Sequence, residues 1–215
     1  MSDISTDNAI KFWEKVHVKI NRNDIIIDNW LDKFEDIIDK CNLPILDLGC
    51  GTGNDTLYLV KKNKKVVACD ISQNAITNIK NNIPEVLLAT RLDMKNGLPF
   101  TDNYFGIVIS DLSLHYFTEK HTYQIINDIK RILSKEGYLF VRVNSVEDVN
   151  HGAGQGKEIE HHLYETNDKR IKRFFDEEDI KHFFKDFKIE YINEEIMTRY
   201  KLQKKLYVVS VKNNK

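Results

Sequence analysis

Hydrophobic positions along the chain follow two alternating spacings. Some segments place apolar residues at i, i+3 and i+4, which is the spacing that forms one face of an α-helix. Between them stand short, mostly apolar runs with the length of a buried β-strand. The pattern predicts helices over residues 30–41, 72–83, 119–133 and 176–187, and strands over residues 44–48, 65–70, 86–89, 105–110, 137–143, 188–194 and 205–211.

The order of these elements predicts the fold class. Strands that alternate with helices form a mostly parallel sheet with helices on both faces. The last two strands are joined by a short connection, so we expect them to pair as an antiparallel hairpin. The sequence therefore predicts an α/β fold with a doubly wound, seven-stranded sheet. Ser72 and Asp176 stand where N-caps of helices belong, and Gly137 stands where a helix would end.

Composition and charge narrow the class of protein. The 215 residues are 41% hydrophobic and 30% charged, and without a linker or internal repeat they predict one domain over residues 1–215. Lys and Arg number 32 against 33 Asp and Glu, a net charge of −1. Proteins that bind nucleic acid through its phosphates usually carry a basic excess. The chain therefore carries no strong signal of a nucleic-acid partner.

The sequence also carries little sign of secretion or of a membrane. Its start lacks the pattern of a signal peptide, and no apolar run approaches the length that spans a bilayer. The three cysteines, Cys41, Cys50 and Cys69, form no CxxC pair. We therefore expect a cytoplasmic protein with reduced thiols and no membrane partner.

Candidate chemistry is concentrated between Ile45 and Gly53, which read ILDLGCGTG. A predicted strand runs into a loop with glycine at alternate positions, and a helix is expected from Asn54. Glycine lets a ligand approach the main chain closely, and a helix N-terminus adds unpaired N–H groups. Asp70 ends the next strand, where a carboxylate can bind the ribose hydroxyls of a nucleoside. These features together predict a nucleoside-cofactor site.

The glycine spacing separates two classes of cofactor. Nicotinamide-dependent oxidoreductases usually carry GxGxxG, in which the third glycine packs the helix against the strand. This chain instead carries GxGxG, preceded by Asp47. The spacing therefore disfavours a nicotinamide cofactor.

Two motifs resemble those of a known family. ILDLGCGTG at 45–53 and VVACDIS at 66–72 resemble the first and second motifs of the class I S-adenosylmethionine-dependent methyltransferases. RLDM at 91–94, FGIVISDL at 105–112 and LSKEGYL at 133–139 agree with the same family, as does the final hairpin. The resemblance spans about residues 44–143. It implies a Rossmann-like fold, S-adenosyl-L-methionine as the cofactor, and transfer of its methyl group.

The resemblance also implies which residues surround the methionine portion of the cofactor. Asp47 and the backbone at Gly49, Gly51 and Gly53 would lie around the methionine and ribose portion. Ser110, near the end of the fourth strand, would offer its carbonyl oxygen to the ammonium group.

Four further residues are implied at the nucleoside end of the cofactor. Asp70 would bind the ribose hydroxyls, and Ile71 would pack on the adenine ring. Asp93 and Met94 would lie at the edge of the adenine. With these roles the chain divides into N-terminal helices (1–42), a cofactor-binding core (43–143), a probable substrate lid (144–175), and a C-terminal helix with the hairpin (176–215).

The acceptor end of the site is less specific in the sequence. Residues 110–117 read SDLSLHYF rather than the Asn-Pro-Pro-Tyr type, which argues against methylation of an adenine or glutamine amine. His115 and Tyr116 follow the fourth strand and are candidates for a base or a substrate contact. Inward packing of these rings is the alternative. Phe12 and Trp13 either cover the pocket or belong to the core.

Residues 144–175 form the most distinctive segment. Within them, residues 150–164 combine glycines with three histidines and two acids after the fifth strand, which predicts a mobile lid over the substrate or else a solvated loop. His151, Glu160, His161 and His162 could also bind a metal ion. Adjacent histidines cannot easily face one ion on a helix, and no thiol or HxxxH spacing is present, so no metal site is expected.

Three functions stay open at this point. A short chain without an appended docking module favours methyl transfer to a small-molecule acceptor by in-line displacement. A macromolecular acceptor, such as tRNA or protein, would need a basic or hydrophobic docking face. A non-catalytic protein that binds S-adenosylmethionine would keep the cofactor site without turnover.

Overall fold

A computed structural model describes residues 4–215. The α-helices are α1 (Ile4–Val16), α2 (Glu35–Lys40), α3 (Asn54–Lys61), α4 (Gln73–Asn82), α5 (Glu119–Ile132) and α6 (Glu177–Phe183). The strands are β1 (Ile45–Leu48), β2 (Val66–Asp70), β3 (Leu88–Arg91), β4 (Phe105–Asp111), β5 (Leu133–Asn144), β6 (Lys157–Glu160), β7 (Leu163–Glu165), β8 (Ile171–Arg173), β9 (Lys188–Met197) and β10 (Lys204–Lys212).

Seven strands form one sheet in the order β3-β2-β1-β4-β5-β10-β9. The first five strands of that order are parallel, whereas β10 runs antiparallel to both β5 and β9. The predicted seven-stranded α/β sheet with a C-terminal antiparallel hairpin is confirmed. Because the chain leaves β1 towards β2 and leaves β4 towards β5, the order reverses between β1 and β4. A crevice forms at the carboxyl ends of strands that part in this way.

Alternate residues of each strand bury the two faces of the sheet. On β1, Leu46 and Leu48 pack in the cluster that includes α5 and α6, whereas Ile45 packs with α2 and α3. Ile79 of α4 packs on the same side as α3. Each fully buried Leu or Ile contributes about 1.5–3 kcal/mol. The two apolar layers therefore hold the strand ends in fixed positions.

Several predicted boundaries were right, and two were wrong. Ser72 caps α4 by accepting a hydrogen bond from the Ala75 N–H, and Asp176 caps α6. The helix predicted over 30–41 begins instead as a 3-10 helix at Trp30–Phe34, because both helix types share the i, i+3 spacing of buried residues. Gly137 does not end a helix. It lies within β5, where a Cβ would come within 3.0 Å of a neighbouring carbonyl oxygen.

The segment 144–175 contains regular structure rather than an open loop. Strands β6, β7 and β8 pair antiparallel as a separate three-stranded sheet. These strands hold only three or four residues and alternate weakly in hydrophobicity, so their periodicity is too short to detect.

Candidate active site

A cavity of about 420 Å³ lies at the carboxyl ends of β1, β2 and β4. It occupies the crevice where the strand order reverses, which is where open α/β sheets bind their ligands. Sites for small molecules have volumes of about 300–1,000 Å³. The loop after β1, the ends of β2 and β4, helix α1 and the β9–β10 connection line the cavity.

The loop between β1 and α3 brings the main chain to the cavity wall. Gly49 and Gly51 line the cavity with φ values of +85° and +49°. A Cβ at Gly49 would lie 2.4 Å from the Cβ of Ser113, and one at Gly51 would lie 3.3 Å from Nε2 of His17. A side chain at Gly49 would therefore collide with Ser113, one at Gly51 would press on His17, and the positive φ would strain the backbone at both.

Asp70 lies at the end of β2 and is 7% exposed. Its two carboxylate oxygens accept hydrogen bonds from the N–H groups of Gly51 (2.9 Å) and Ser72 (2.8 Å). Burial raises the pKa of Asp70, although nearby His17 and the two amide donors oppose the rise. The carboxylate is thus held rigidly beside the glycine loop.

Asp47 lies on β1 beneath the loop and is 1% exposed. The hydroxyl of Thr56 donates to its carboxylate at 2.5 Å. Burial, together with the negative charges of Asp111 and Asp70, raises the pKa of Asp47 to about 7. A positive charge in the cavity would therefore stabilise the ionised carboxylate.

The cavity lining is strongly acidic. Among the described residues six aspartates line it, against one lysine and one arginine. In a poorly hydrated space such an excess of carboxylates favours a cationic ligand. The lining aspartates are Asp24, Asp47, Asp55, Asp70, Asp93 and Asp111.

One end of the cavity is apolar. Ile71, Leu92 and Met94 contribute to its lining next to Asp93. One carboxylate oxygen of Asp93 accepts a hydrogen bond from the Lys95 N–H at 3.0 Å and caps a short 3-10 helix. This end offers a flat, apolar surface with a carboxylate at its rim.

The cover of the cavity is aromatic and comes from distant parts of the chain. Trp13 of α1 stacks on His17 (ring centroids 5.4 Å apart) and meets the ring of Tyr116 edge-on at 5.4 Å. Arg199 and Tyr200, from the β9–β10 connection, also line the cavity. Of the segment 144–175, only Ile171 is among the described lining residues.

Glu14 attaches α1 to the first turn of α4. Its carboxylate accepts hydrogen bonds from the N–H groups of Gln73 (2.7 Å) and Asn74 (3.0 Å) and from the Ser72 hydroxyl (3.0 Å). A carboxylate at a helix N-terminus satisfies N–H groups that have no partner within the helix. This contact places Trp13 and His17 above the glycine loop.

A buried ionic network forms the wall below the cover. Arg142 is 3% exposed and binds Asp111 with two hydrogen bonds of 2.7 and 2.6 Å. It also binds Asp28 at 2.9 Å, and Arg199 lies 3.4 Å from both carboxylates. Although burial opposes ionisation, the two guanidinium groups lower the pKa of Asp111. Asp111 is therefore a fixed negative charge in the cavity wall.

Comparison with known proteins agrees with this geometry. Residues 46–141 match the family model described as a methyltransferase domain. An uncharacterized methyltransferase of a Synechocystis strain is 34% identical over 100 residues, which is 46% of each chain. The arginine-hydroxylase NDUFAF5 of human mitochondria is 36% identical over 100 residues, 46% of this chain and 26% of that protein.

Residues 46–141 form a methyltransferase domain of the class I S-adenosylmethionine-dependent type. Its cofactor is S-adenosyl-L-methionine. The alignments span less than half the length of the first curated relatives. Among solved structures, a SAM-dependent methyltransferase from Anabaena variabilis has a TM-score of 0.71 at 18% identity and covers 98% of this chain and 96% of its own. The 1,6-didemethyltoxoflavin-N1-methyltransferase of Burkholderia thailandensis has a TM-score of 0.63 at 17% identity and covers 99% of this chain and 82% of its own.

The cavity of this methyltransferase fits its cofactor chemically. S-adenosylmethionine carries a sulfonium and an ammonium group, and the lining has an excess of carboxylates, three of them buried. The apolar end around Ile71 and Met94 offers a surface for a planar base, and Asp70 stands beside the glycine loop. The sequence left open whether the aromatic residues of α1 cover the pocket or belong to the core, and Trp13 lines the cavity.

The methyltransferase brings most of the predicted site residues together. Among the described residues, the cavity lining includes seven predicted residues: Asp47, Gly49, Gly51, Asp70, Ile71, Asp93 and Met94. Of the two candidates at the acceptor end, Tyr116 also lines it.

Three predicted residues lie outside the lining. Gly53 faces α4, where a Cβ would come within 2.5 Å of Ile79 Cδ1, so it packs two helices together. Ser110 is fully buried, and its hydroxyl shares a hydrogen bond of 2.6 Å with Ser113. His115 is 1% exposed, and burial lowers its pKa well below the ordinary value. Its position corresponds to inward packing rather than to a contact with substrate.

Sequence reasoning missed several residues of the site. His17, Arg199 and Tyr200 line the cavity but belong to no motif of the glycine-loop region. Asp111 was within a matched segment, yet its pairing with Arg142 depends on the register of β4 and β5. A buried arginine within an apolar strand was the one local signal of a charged partner.

Proposed function

We propose that this methyltransferase transfers the methyl group of S-adenosylmethionine to a small-molecule acceptor. The observation that carries the proposal is the acidic, aromatic-covered cavity of about 420 Å³ beside the glycine loop. The same proposal assigns Asp70 to the ribose hydroxyls, Asp47 and the backbone of Gly49 and Gly51 to the methionine portion, and Ile71 with Met94 to the adenine. The cytoplasmic location expected from the sequence stays a prediction.

The cover supports a small acceptor. Trp13 and Tyr116 meet edge-on above the glycine loop, and Tyr200 extends the cover from the other side. A base or side chain presented by a macromolecule would have to displace this aromatic layer. The nearly balanced charge of the chain also gives no electrostatic reason to expect a polyanionic acceptor.

The reaction needs orientation more than acid or base chemistry. The bound cofactor supplies a methyl group on a sulfonium, and in-line attack by the acceptor forms the new bond while the carbon–sulfur electrons return to sulfur. The chain holds the acceptor in line and excludes water. Burial raises the pKa of Tyr116 well above its ordinary value, so the phenol donates a hydrogen bond and does not remove a proton.

A base, where the acceptor requires one, is better placed at His121 than at His115. His121 lines the cavity, and its Nδ1 lies 2.9 Å from the Thr118 hydroxyl, which orients the ring. His115 lies outside the lining. An acceptor that is already anionic, such as a thiolate, would need no base.

Calorimetric titration with S-adenosylhomocysteine tests the cofactor assignment. We expect micromolar binding, no binding of NADH, and at least a tenfold loss of affinity in Asp70→Asn. Asp24→Asn is the matched control, because it removes the same charge from the lining without touching the glycine loop. Circular dichroism checks that both variants stay folded. Equal affinity of Asp70→Asn and the wild type would reject the assigned site.

Transfer of labelled methyl groups from S-adenosylmethionine to a cell extract tests the acceptor. Label in the low-mass fraction is the expected result, whereas label in protein or tRNA would overturn the small-molecule proposal. One relative carries the name of a hydroxylase. Tight cofactor binding with no transfer to any fraction would therefore overturn methyl transfer itself and leave a protein that binds the cofactor without transferring it.

A further inference from the structure

Two adjacent histidines and an aspartate meet on the side of the molecule formed by the small sheet and α6. His161 and His162 occupy the turn between β6 and β7, and Asp179 lies in the first turn of α6. One ligand atom from each residue lies within 4.8 Å of those of the other two. We propose that this cluster binds a late first-row divalent cation such as Zn²⁺.

The turn solves the problem that adjacent histidines face on a helix. His162 has a φ of +55°, in the left-handed region, so the two imidazole rings point the same way and stack with centroids 3.8 Å apart. The expectation of no metal site assumed that neighbouring side chains diverge. The left-handed backbone at His162 lets the two side chains point the same way, so that assumption does not apply.

The distances suit tetrahedral coordination. His162 Nδ1 lies 2.7 Å from one carboxylate oxygen of Asp179, and His161 Nε2 lies 3.9 Å from the other. Zinc–nitrogen and zinc–oxygen bonds of about 2.0–2.2 Å place tetrahedral ligand atoms about 3.3 Å apart. The three donors lie within 4.8 Å of one another, so the proposed site requires the rings to adjust to that spacing. The His161 side chain is 73% exposed, which leaves room for water as the fourth ligand.

The groups around the cluster hold its ligands in place. The backbone N–H of Asp176 donates to the Asp179 carboxylate at 3.1 Å. The Glu158 carboxylate accepts a hydrogen bond from the backbone N–H of His162 at 3.0 Å. The guanidinium of Arg173 donates to the His161 carbonyl oxygen at 2.6 Å. Partners of this kind orient metal ligands and reduce the entropy lost on binding.

The donor set selects the class of ion. Two imidazole nitrogens and one carboxylate suit zinc, nickel, cobalt or copper, whereas calcium and magnesium prefer oxygen ligands alone. A bound ion would join the small sheet to α6, which packs on the main sheet through Ile180 and Phe183. Its effect would therefore be to fix the small sheet, whose Ile171 lines the cavity.

The test uses the full chain, freed of any polyhistidine tag and treated with a chelator. We expect calorimetric binding of one Zn²⁺ per chain with a micromolar dissociation constant, the visible absorption of tetrahedral Co²⁺, and a rise in melting temperature with Zn²⁺. His161→Ala should weaken binding at least tenfold without unfolding, because that ring is exposed. His182→Ala is the matched control, since it removes another exposed histidine from α6.

Two results would overturn the proposal. One is a wild type that binds Zn²⁺ no better than His161→Ala, and the other is equal loss of binding in the His182→Ala control. In either case the contact between His162 and Asp179 serves only to cap α6. Cofactor titration is independent of these measurements, so the metal site and the proposed methyl transfer can fail separately.

Discussion

Three aspartates in one cavity experience three different electrostatic environments. Although burial opposes ionisation, Arg142 and Arg199 lower the pKa of Asp111, so it stays ionised. Asp47 has no such cation, and burial raises its pKa to about 7. Burial also raises the pKa of Asp70, but His17 and two backbone N–H groups oppose that rise. A cation that enters the cavity would therefore favour the ionised form of Asp47.

Tyr116 offers a test at the level of a single hydroxyl group. Replacing Tyr116 with Phe keeps the aromatic cover but removes one hydrogen bond, worth about 0.5–1.5 kcal/mol, so we expect the turnover rate to fall about three- to tenfold. The pH–rate profile should keep its shape between pH 6 and 9, because the raised pKa keeps the phenol protonated throughout. A rate that rises towards alkaline pH in the wild type, with the rise lost in the variant, would instead identify Tyr116 as a base.

The sequence located the cavity residues around the glycine loop better than those of the cover. Gly49, Asp70 and Asp93 lie at or just after strand ends, and a local pattern is enough to find such positions. Arg199 and Tyr200 reach the cavity only because β10 pairs with β5 and turns the β9–β10 connection towards it. Long-range pairing of this kind leaves no periodic signal in the chain.

At the level of elements, Glu14 attaches α1 to the first turn of α4. Glu14 accepts three hydrogen bonds at the start of α4, and burial, which alone would raise its pKa, is outweighed by these donors, so the pKa is lowered. A lowered pKa stabilises the folded state above the ordinary value of 4.5, and this stabilisation is lost as the pH falls through the folded-state pKa. Docking of α1 therefore depends on an ionised Glu14.

Glu14→Gln tests this contact. The amide cannot accept hydrogen bonds with both terminal atoms, so we expect α1 to dock less firmly and affinity for S-adenosylhomocysteine to fall several-fold at pH 7. The difference in melting temperature between the variant and the wild type should shrink below pH 4.5. Lys15→Gln, one position along the same helix, is the control and should leave both quantities unchanged. A difference that grows at acid pH would contradict the assigned role.

The elements themselves were predictable wherever their hydrophobic spacing was long enough. Helix α5 and all seven strands of the main sheet were found within a few residues, because both their faces or one full stripe are buried. The small sheet was missed since β7 and β8 hold three residues each. The end of α5 was misplaced because β5 begins at the very next residue, without a glycine turn.

At the level of the whole molecule, the Arg142 network joins parts of the chain that are far apart in sequence. It links Asp28, before β1, with Asp111 on β4 and with Arg199 after β9. The guanidinium of Arg142 also lies 4.6 Å from the centre of the Trp30 ring.

The described part of the chain, 4–215, contains no helix long and apolar enough to cross a membrane.

Replacing Arg142 with Met tests how much the network stabilises the fold. The substitution leaves buried carboxylates without their main counter-charge, and breaking a buried pair in this way costs about 3–5 kcal/mol. Urea unfolding at pH 7 should show a loss of that size. Arg199→Met removes a more distant and more exposed guanidinium, so its loss should be distinctly smaller. Equal losses in the two variants would mean that Arg142 does not dominate the network.

Because Glu14 attaches α1 beside the cavity, entry of a ligand and exposure of the α1 backbone would depend on the same movement of the helix. A helix that lifts from the glycine loop opens a path for the cofactor and, in the same event, presents its own backbone to a protease. A ligand that fills the cavity packs beneath Trp13 and His17 and makes that event rarer. Occupation of the cavity by the cofactor would therefore slow the proteolysis of α1.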